Sequence, residues 1–262
     1  MSPIEEEEAP KRGLSSYLNE DVRKLWVLWL LPLMTFESGV IDAVTVESLG
    51  HTFVCNQTGN YVFLGISLFS AEGTLMDVPV HSIVALVSFG VGSMIGGRLG
   101  SICGDTKRVW LFSTFCFQGF IGILCCIMSF TMTLEPEGHM VLIPIGLLGI
   151  ASGMQMIAAR RFKVAEYTTA VLTSTTMDFM ADGDLFKWKN PTRDKRAASI
   201  LCLFVGVVVG HSLIVFIDVG TALLFAAIIR FIVAFGWLLL PNKKKANASE
   251  SLLSSHNGER PV

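Results

Sequence analysis

Apolar residues in this chain gather into blocks of about twenty, the length a helix needs to cross the hydrocarbon core of a bilayer. Six blocks meet that length, at 25–46, 81–99, 109–133, 140–159, 197–217 and 221–240. They neither alternate as strands do nor stripe one helix face, so the pattern predicts an all-α, polytopic membrane protein. Only 16% of residues are charged, against about 25% in soluble domains, which excludes a water-soluble globule. The formal net charge is −2 and no basic face stands out, so nucleic acid is excluded and the bilayer is the expected partner. Polar tails at 1–24 and 241–262 flank a membrane domain at 25–240. The first block is too long for a signal-peptide core and is expected to be retained as a span.

Charge orients the blocks. With six crossings and a cytoplasmic amino terminus, the Lys and Arg residues within 11–24, 98–108, 160–196 and 243–260 all fall on the cytoplasmic side. Only Arg230 lies inside a block. The positive-inside rule therefore predicts both termini in the cytoplasm, without distinguishing plasma from organelle membrane. A seventh apolar stretch, 52–70, begins with polar residues and reads as re-entrant or interfacial rather than as a crossing. Six cysteines show no CxxC pair and no zinc spacing, so neither metal nor cofactor is expected.

An internal repeat is legible. Ser38-Gly39, the segment 52–58 and the pair Gly92 and Gly96 recur as Ser152-Gly153, 169–175 and Gly206 with Gly210, at offsets of 114, 117 and 114 residues. Three crossings per half is an odd number, so the halves are predicted to be inverted, as in many secondary transporters. The second polar segment, 168–180, is then re-entrant from the cytoplasmic face, and irregular backbone at that depth implies a wet or ligand-lined interior.

The runs Gly39-Val40-Ile41-Asp42-Ala43, Gly50 to Asn60 and Gly92 to Arg98, with Gly153-Met154-Gln155 and Thr168 to Thr175, resemble the YoaK-like family of multi-spanning membrane proteins. The two tails look like those of a fungal member. The resemblance implies a multi-pass fold and no known activity, since the family is a domain of unknown function. Met156 stands where relatives often carry Asn, so the two halves are not expected to offer equivalent polar ligands.

Ionisable groups inside a span cost about 2.5 to 3.5 kcal/mol each at the bilayer centre, so they mark function or a compensating partner. Here they are Glu37, Asp42, His211 and Arg230. Glu37 and Asp42 point about 140° apart on a regular helix. Arg230 needs a counter-ion, either Glu37 or Asp42, and Pro32 is a candidate kink that exposes Glu37. Asp42, Asn56, Gln57, Thr58, Gly59 and Asn60, with Gln155, Thr173 and Thr175, are the candidate solute ligands, because amides and hydroxyls can replace a hydration shell. A helix break with its polar groups satisfied locally is the alternative for 56–60. Gly92, Gly96, Gly100, Gly206 and Gly210 form small-residue ridges that suit close helix packing, within one chain or between copies of a homo-oligomer. The basic connection 160–196 is expected to rest on anionic headgroups. No HExxH, GxSxG or phosphate loop is present, so an enzyme is disfavoured. The leading reading is a small-solute or ion transporter with a cavity between two inverted halves. A non-transporting scaffold or assembly factor is the alternative.

Overall fold

The computed structural model describes residues 14–22, 30–67, 78–136, 138–162 and 172–240. Nine α-helices are found among them: α1 (Leu14–Leu18), α2 (Leu31–Ser48), α3 (Gln57–Ser67), α4 (Val78–Cys103), α5 (Arg108–Thr131), α6 (Leu142–Arg161), α7 (Leu172–Met180), α8 (Pro191–Phe216) and α9 (Val219–Leu239). A single 3-10 turn, His139–Val141, leads into α6. Among the described residues, five helices are long and apolar enough to cross a membrane: Val80–Cys103, Arg108–Thr131, His139–Arg161, Pro191–Phe216 and Val219–Leu239.

α2 has 18 residues but carries Glu37, Asp42 and Glu47, which lower its hydropathy. Its first turn holds Pro32, where a missing N–H is harmless, so the candidate kink is a helix start instead. Residues 23–29 of the predicted first span lie outside the described residues. The fifth apolar block begins at 197, but its helix starts six residues earlier, because Asn190 accepts a hydrogen bond from Arg193 N at 3.0 Å and Pro191 supplies the first turn. Asp218 caps α9 in the same way through Thr221 N at 2.7 Å.

The two polar segments form short helices. Over the described residues α3 has 11 residues and α7 has nine, about 16 and 13 Å of rise against a core of about 30 Å. Residues 68–70 of the first segment and 168–171 of the second lie outside the described residues. α2 turns into the α3 loop at Gly50, whose φ of +88° and contact with the His81 ring leave no room for a side chain.

α2 packs on α8 and α9, α6 packs on α4 and α5, α5 packs on α9, and the short helices α3 and α7 lie on α4 and α8. Glycine sets how closely these helices approach. A Cβ at Gly39 would lie 2.3 Å from the Leu203 carbonyl oxygen, and one at Gly206 2.0 Å from that of Phe36. At the other crossing, a Cβ at Gly153 would lie 2.2 Å from the Phe89 carbonyl oxygen, and one at Gly92 2.1 Å from that of Ile150. Each of the four residues at one crossing stands 114 positions from its counterpart at the other. Gly210 against Val40 and Gly96 against Met154 repeat the relation. Gly100 is off this ridge, because a Cβ there would meet Asp105 and Trp110 at the α4–α5 turn.

Two apolar clusters fill the interior. One contains Val40, Ile41, Val44, Ile121, Cys125, Ile145, Leu148, Leu223 and Ala226. The other contains Leu31, Met34, Leu111, Phe115, Ala158, Phe162, Val233 and Trp237. Val22, at the end of the first described segment, belongs to the second cluster, and Leu240, the last described residue, packs against it.

Candidate functional site

Each of the four helices that join the two clusters changes allegiance at or beside a polar residue. α2 passes from Met34 to Val40 across Glu37, and α5 from Phe115 to Ile121 across Gln118. α6 passes from Ala151 to Ala158 across Gln155, and α9 from Ala226 to Ile229, with Arg230 the next residue. All four polar side chains are buried, with Glu37 1% exposed and Arg230 2%. The side chains of Glu37, Gln155 and Arg230 meet, and Gln118 joins them through its backbone: Arg230 Nε donates to Glu37 Oε1 at 2.8 Å and Arg230 Nη1 to the Gln118 carbonyl at 3.3 Å, while Gln118 Nε2 donates to Thr114 Oγ1 at 3.4 Å. Gln155 Nε2 donates to Glu37 Oε2 at 3.1 Å, and lies 3.3 Å from both Ser38 Oγ and the Met34 carbonyl.

The cluster is balanced in charge but incomplete in hydrogen bonding. Arg230 Nη2 has no acceptor, and neither Gln155 Oε1 nor Gln118 Oε1 has a donor. Buried polar atoms are rarely left this way, because each forfeits its hydration without return. Met34, Glu37, Phe115, Gln155, Ile229, Arg230 and Val233 line a narrow gap beside the cluster, at no point wide enough for a water molecule. A wider cleft of about 220 Å³ opens at the far end of the first apolar cluster, between Glu47, Ser48, Leu49, Ser129, Leu134, Pro136 and Val219.

Asp42 stands apart from this cluster. Its Oδ1 accepts from Val54 N at 3.1 Å and Cys55 N at 2.8 Å, and its Oδ2 accepts from Asn56 Nδ2. Asn60 closes the same loop: its Oδ1 accepts from Thr52 Oγ1 at 2.7 Å and Phe53 N at 2.9 Å, while its Nδ2 donates to the Phe53 carbonyl and to Gln57 Oε1. That uses every site its amide offers. Gln57 Nε2 donates to the Val54 carbonyl at 2.9 Å, Gly59 lies against the Phe53 ring, and Thr58 is exposed. The polar run 56–60 thus ties a loop to α2, the locally satisfied break that the residues also allowed.

Of the other candidates, Gln155 joins Glu37 and Arg230, settling the open choice of counter-ion in favour of Glu37. Thr175 is buried and Thr173 exposed, both on α7. His211 is half exposed, with Nδ1 3.9 Å from Glu47. Reading the residues one by one missed Gln118, whose signal was a lone amide in the middle of the block 109–133. It also missed Arg108, which looked like a membrane-flanking charge. Arg108 is 1% exposed, paired with Glu20 at 3.3 Å, stacked on the Tyr17 ring at 4.1 Å and bonded to the Leu240 carbonyl.

A helical bundle with five helices long and apolar enough to cross a bilayer and a charged pair sealed between its helices is a polytopic membrane protein. The chain belongs to the family described as protein of unknown function (DUF1275), whose model matches residues 30–236. It is similar to the UPF0700 transmembrane protein YoaK of Bacillus subtilis (strain 168), at 30% identity over 191 residues, which is 69% of this chain and 80% of that protein. No solved structure matches.

Proposed function

We propose that the protein is a carrier of a small polar solute, with Glu37, Gln118, Gln155 and Arg230 as its occluded site. The observation that carries this reading is the position of the four residues: on each of the four helices that contribute to both apolar clusters, a buried polar residue falls at or beside the change from one cluster to the other. A site closed at both ends by packed apolar side chains is what an occluded carrier requires, since opening either plug gives access from one side only. A charged pair kept at that depth without a function is a costly way to hold helices together.

On this reading α2 is a sixth crossing. Its order of contact, second cluster then first, is shared by α5 and reversed in α6 and α9, as six crossings demand. The recurrence of helix contacts at an offset of 114 residues supports two inverted halves, α2 to α5 and α6 to α9. Both termini then share one face, which the basic clusters make cytoplasmic. Asp42 and the run 56–60 serve as a fixed wall beside the path, and Thr173 and Thr175 belong to the counterpart segment.

A non-transporting scaffold is the second reading, favoured by the complete local bonding of Asn60 and by the tightness of the site. Solute flux into liposomes containing the purified protein separates the two. A carrier moves at least one solute, and Glu37→Gln abolishes the movement; no movement of any solute, with no effect of the substitution, leaves the scaffold. Maleimide labelling of Cys103 and of a cysteine at Glu135 from opposite faces tests the topology, and labelling of both from the same face refutes it.

A further inference from the structure

We infer that the solute bound at the Glu37–Arg230 cluster carries no net charge and presents a hydrogen-bond acceptor beside a donor. The inference deepens the carrier reading and rests on it.

Charge comes first. The cluster holds one carboxylate and one guanidinium in direct contact at 2.8 Å, so its own charges cancel. The other carboxylate buried on α2, Asp42, is turned away and held by Val54, Cys55 and Asn56. Arg108 of α5 is paired with Glu20 near the chain ends. A solute with net charge would stand as a third, unbalanced charge between two apolar plugs, where desolvation is not repaid. A neutral molecule or a zwitterion avoids that penalty.

Hydrogen bonding comes second. Arg230 Nη2 offers protons that nothing accepts, and Gln155 Oε1 offers lone pairs that nothing uses, with Gln118 Oε1 in the same condition on the neighbouring helix. A solute that satisfies them presents an acceptor to the guanidinium and a donor to an amide oxygen. The apolar side chains of Met34, Phe115 and Ile229 close the remaining walls, so further polar groups on the solute would be left unpaired. Urea, glycerol and glycine each carry an acceptor and a donor without net charge.

A net-neutral solute makes transport electrically silent. A single net charge carried per cycle would instead change accumulation by about fifty-fold for each 100 mV.

The test uses the full chain in liposomes, with urea, glycerol and glycine as net-neutral probes and nitrate, sulfate and choline as charged ones. Flux is measured at zero potential and at a potassium diffusion potential of about 100 mV. At least one neutral probe is expected to move about ten-fold faster than in protein-free liposomes, at the same rate with and without the potential, and no charged probe is expected to move. Gln155→Leu, or Gln155→Met should the first fail to assemble, is expected to cut that flux about ten-fold. Flux of a charged probe, or a strong dependence on potential, overturns the solute class while leaving the carrier reading intact. Neutral flux unchanged by either Gln155 variant overturns the assignment of the site. Flux of no probe in either class overturns the carrier reading and this inference with it.

Discussion

Removing one half of the Glu37–Arg230 pair is expected to be far more damaging than removing both. In the wild type, Arg230 makes two hydrogen bonds, to Glu37 Oε1 at 2.8 Å and to the Gln118 carbonyl at 3.3 Å, while Nη2 already lacks an acceptor. Glu37→Leu takes away the better bond and the only neutralising charge, and leaves Gln155 Nε2 without its carboxylate partner. The residual guanidinium is 2% exposed, so water cannot replace what is lost. Deleting one partner of a buried pair costs about 3 to 5 kcal/mol, two to four powers of ten in the folding equilibrium. Arg230→Met strands the Glu37 carboxylate in the same way, though Gln155 still donates to it, and belongs at the lower end of that range. The double variant Glu37→Leu/Arg230→Met buries no unpaired charge and is expected within about 1 to 2 kcal/mol of wild type, because apolar replacement of buried pairs is often neutral. Equilibrium unfolding in mixed micelles, followed by circular dichroism, closes the double-mutant cycle, with an expected coupling of about 2 kcal/mol or more. Single variants costing under about 1 kcal/mol each, with additive effects, would show that the pair is solvated and that its placement between the two apolar plugs is wrong.

The glycine crossings give a second expectation: Gly39→Ala or Gly206→Ala sets a methyl against backbone atoms 2.3 and 2.0 Å away, costing about 1 to 3 kcal/mol or more, whereas Gly90→Ala, with open space around it, is neutral or stabilising in the same unfolding assay. Asp42→Ala leaves the amides of Val54 and Cys55 and the Asn56 side chain without their acceptor, about 1 to 3 kcal/mol for each buried group; hydrogen exchange should rise through 52–60, and Asp42→Asn, which keeps one acceptor oxygen, should show a smaller rise. The loop before α8 should loosen in acid. Its Asp182 carboxyl is held below the usual carboxylate range by the Asp184 N–H, then by Asn190, with Arg196 assisting. A lowered folded value means the contribution is present at neutral pH and is lost as pH falls from the ordinary carboxylate range through the depressed one. Hydrogen exchange across 182–193 is the readout, and Asp182→Asn should remove its pH dependence; a wild-type loop indifferent to acid would count against the bonding described.

Much of the architecture follows from local pattern. Block length alone yields the helices, because hydrocarbon forbids unpaired backbone and a run of about twenty apolar residues has no other stable form there. Glycine spacing, too, announces close helix packing, and the structure assigns it to the crossings of α2 with α8 and α4 with α6, where the 114-residue offset recurs in the contacts. The site was only half legible. Glu37, Gln155 and Arg230 are conspicuous as polar residues in apolar runs, yet nothing along the chain says that residues 193 positions apart face each other. The run 56–60 was conspicuous for the same reason, and there polarity serves a loop: Asn60 reaches back to Phe53 and Thr52, and Asp42 gathers the amides between.

From the sequence alone come the helical class, the small-residue faces and part of the roster of buried polar side chains, all consequences of solvation and steric size at single positions. Only the packed structure decides which of those polar groups meet, because the partner of a buried charge depends on the rotation and depth of each helix, and those are set by how neighbouring side chains interlock. Glu37 rather than Asp42 answers Arg230 for that reason: α2 turns one carboxylate toward α6 and α9, and the other toward the loop that begins α3.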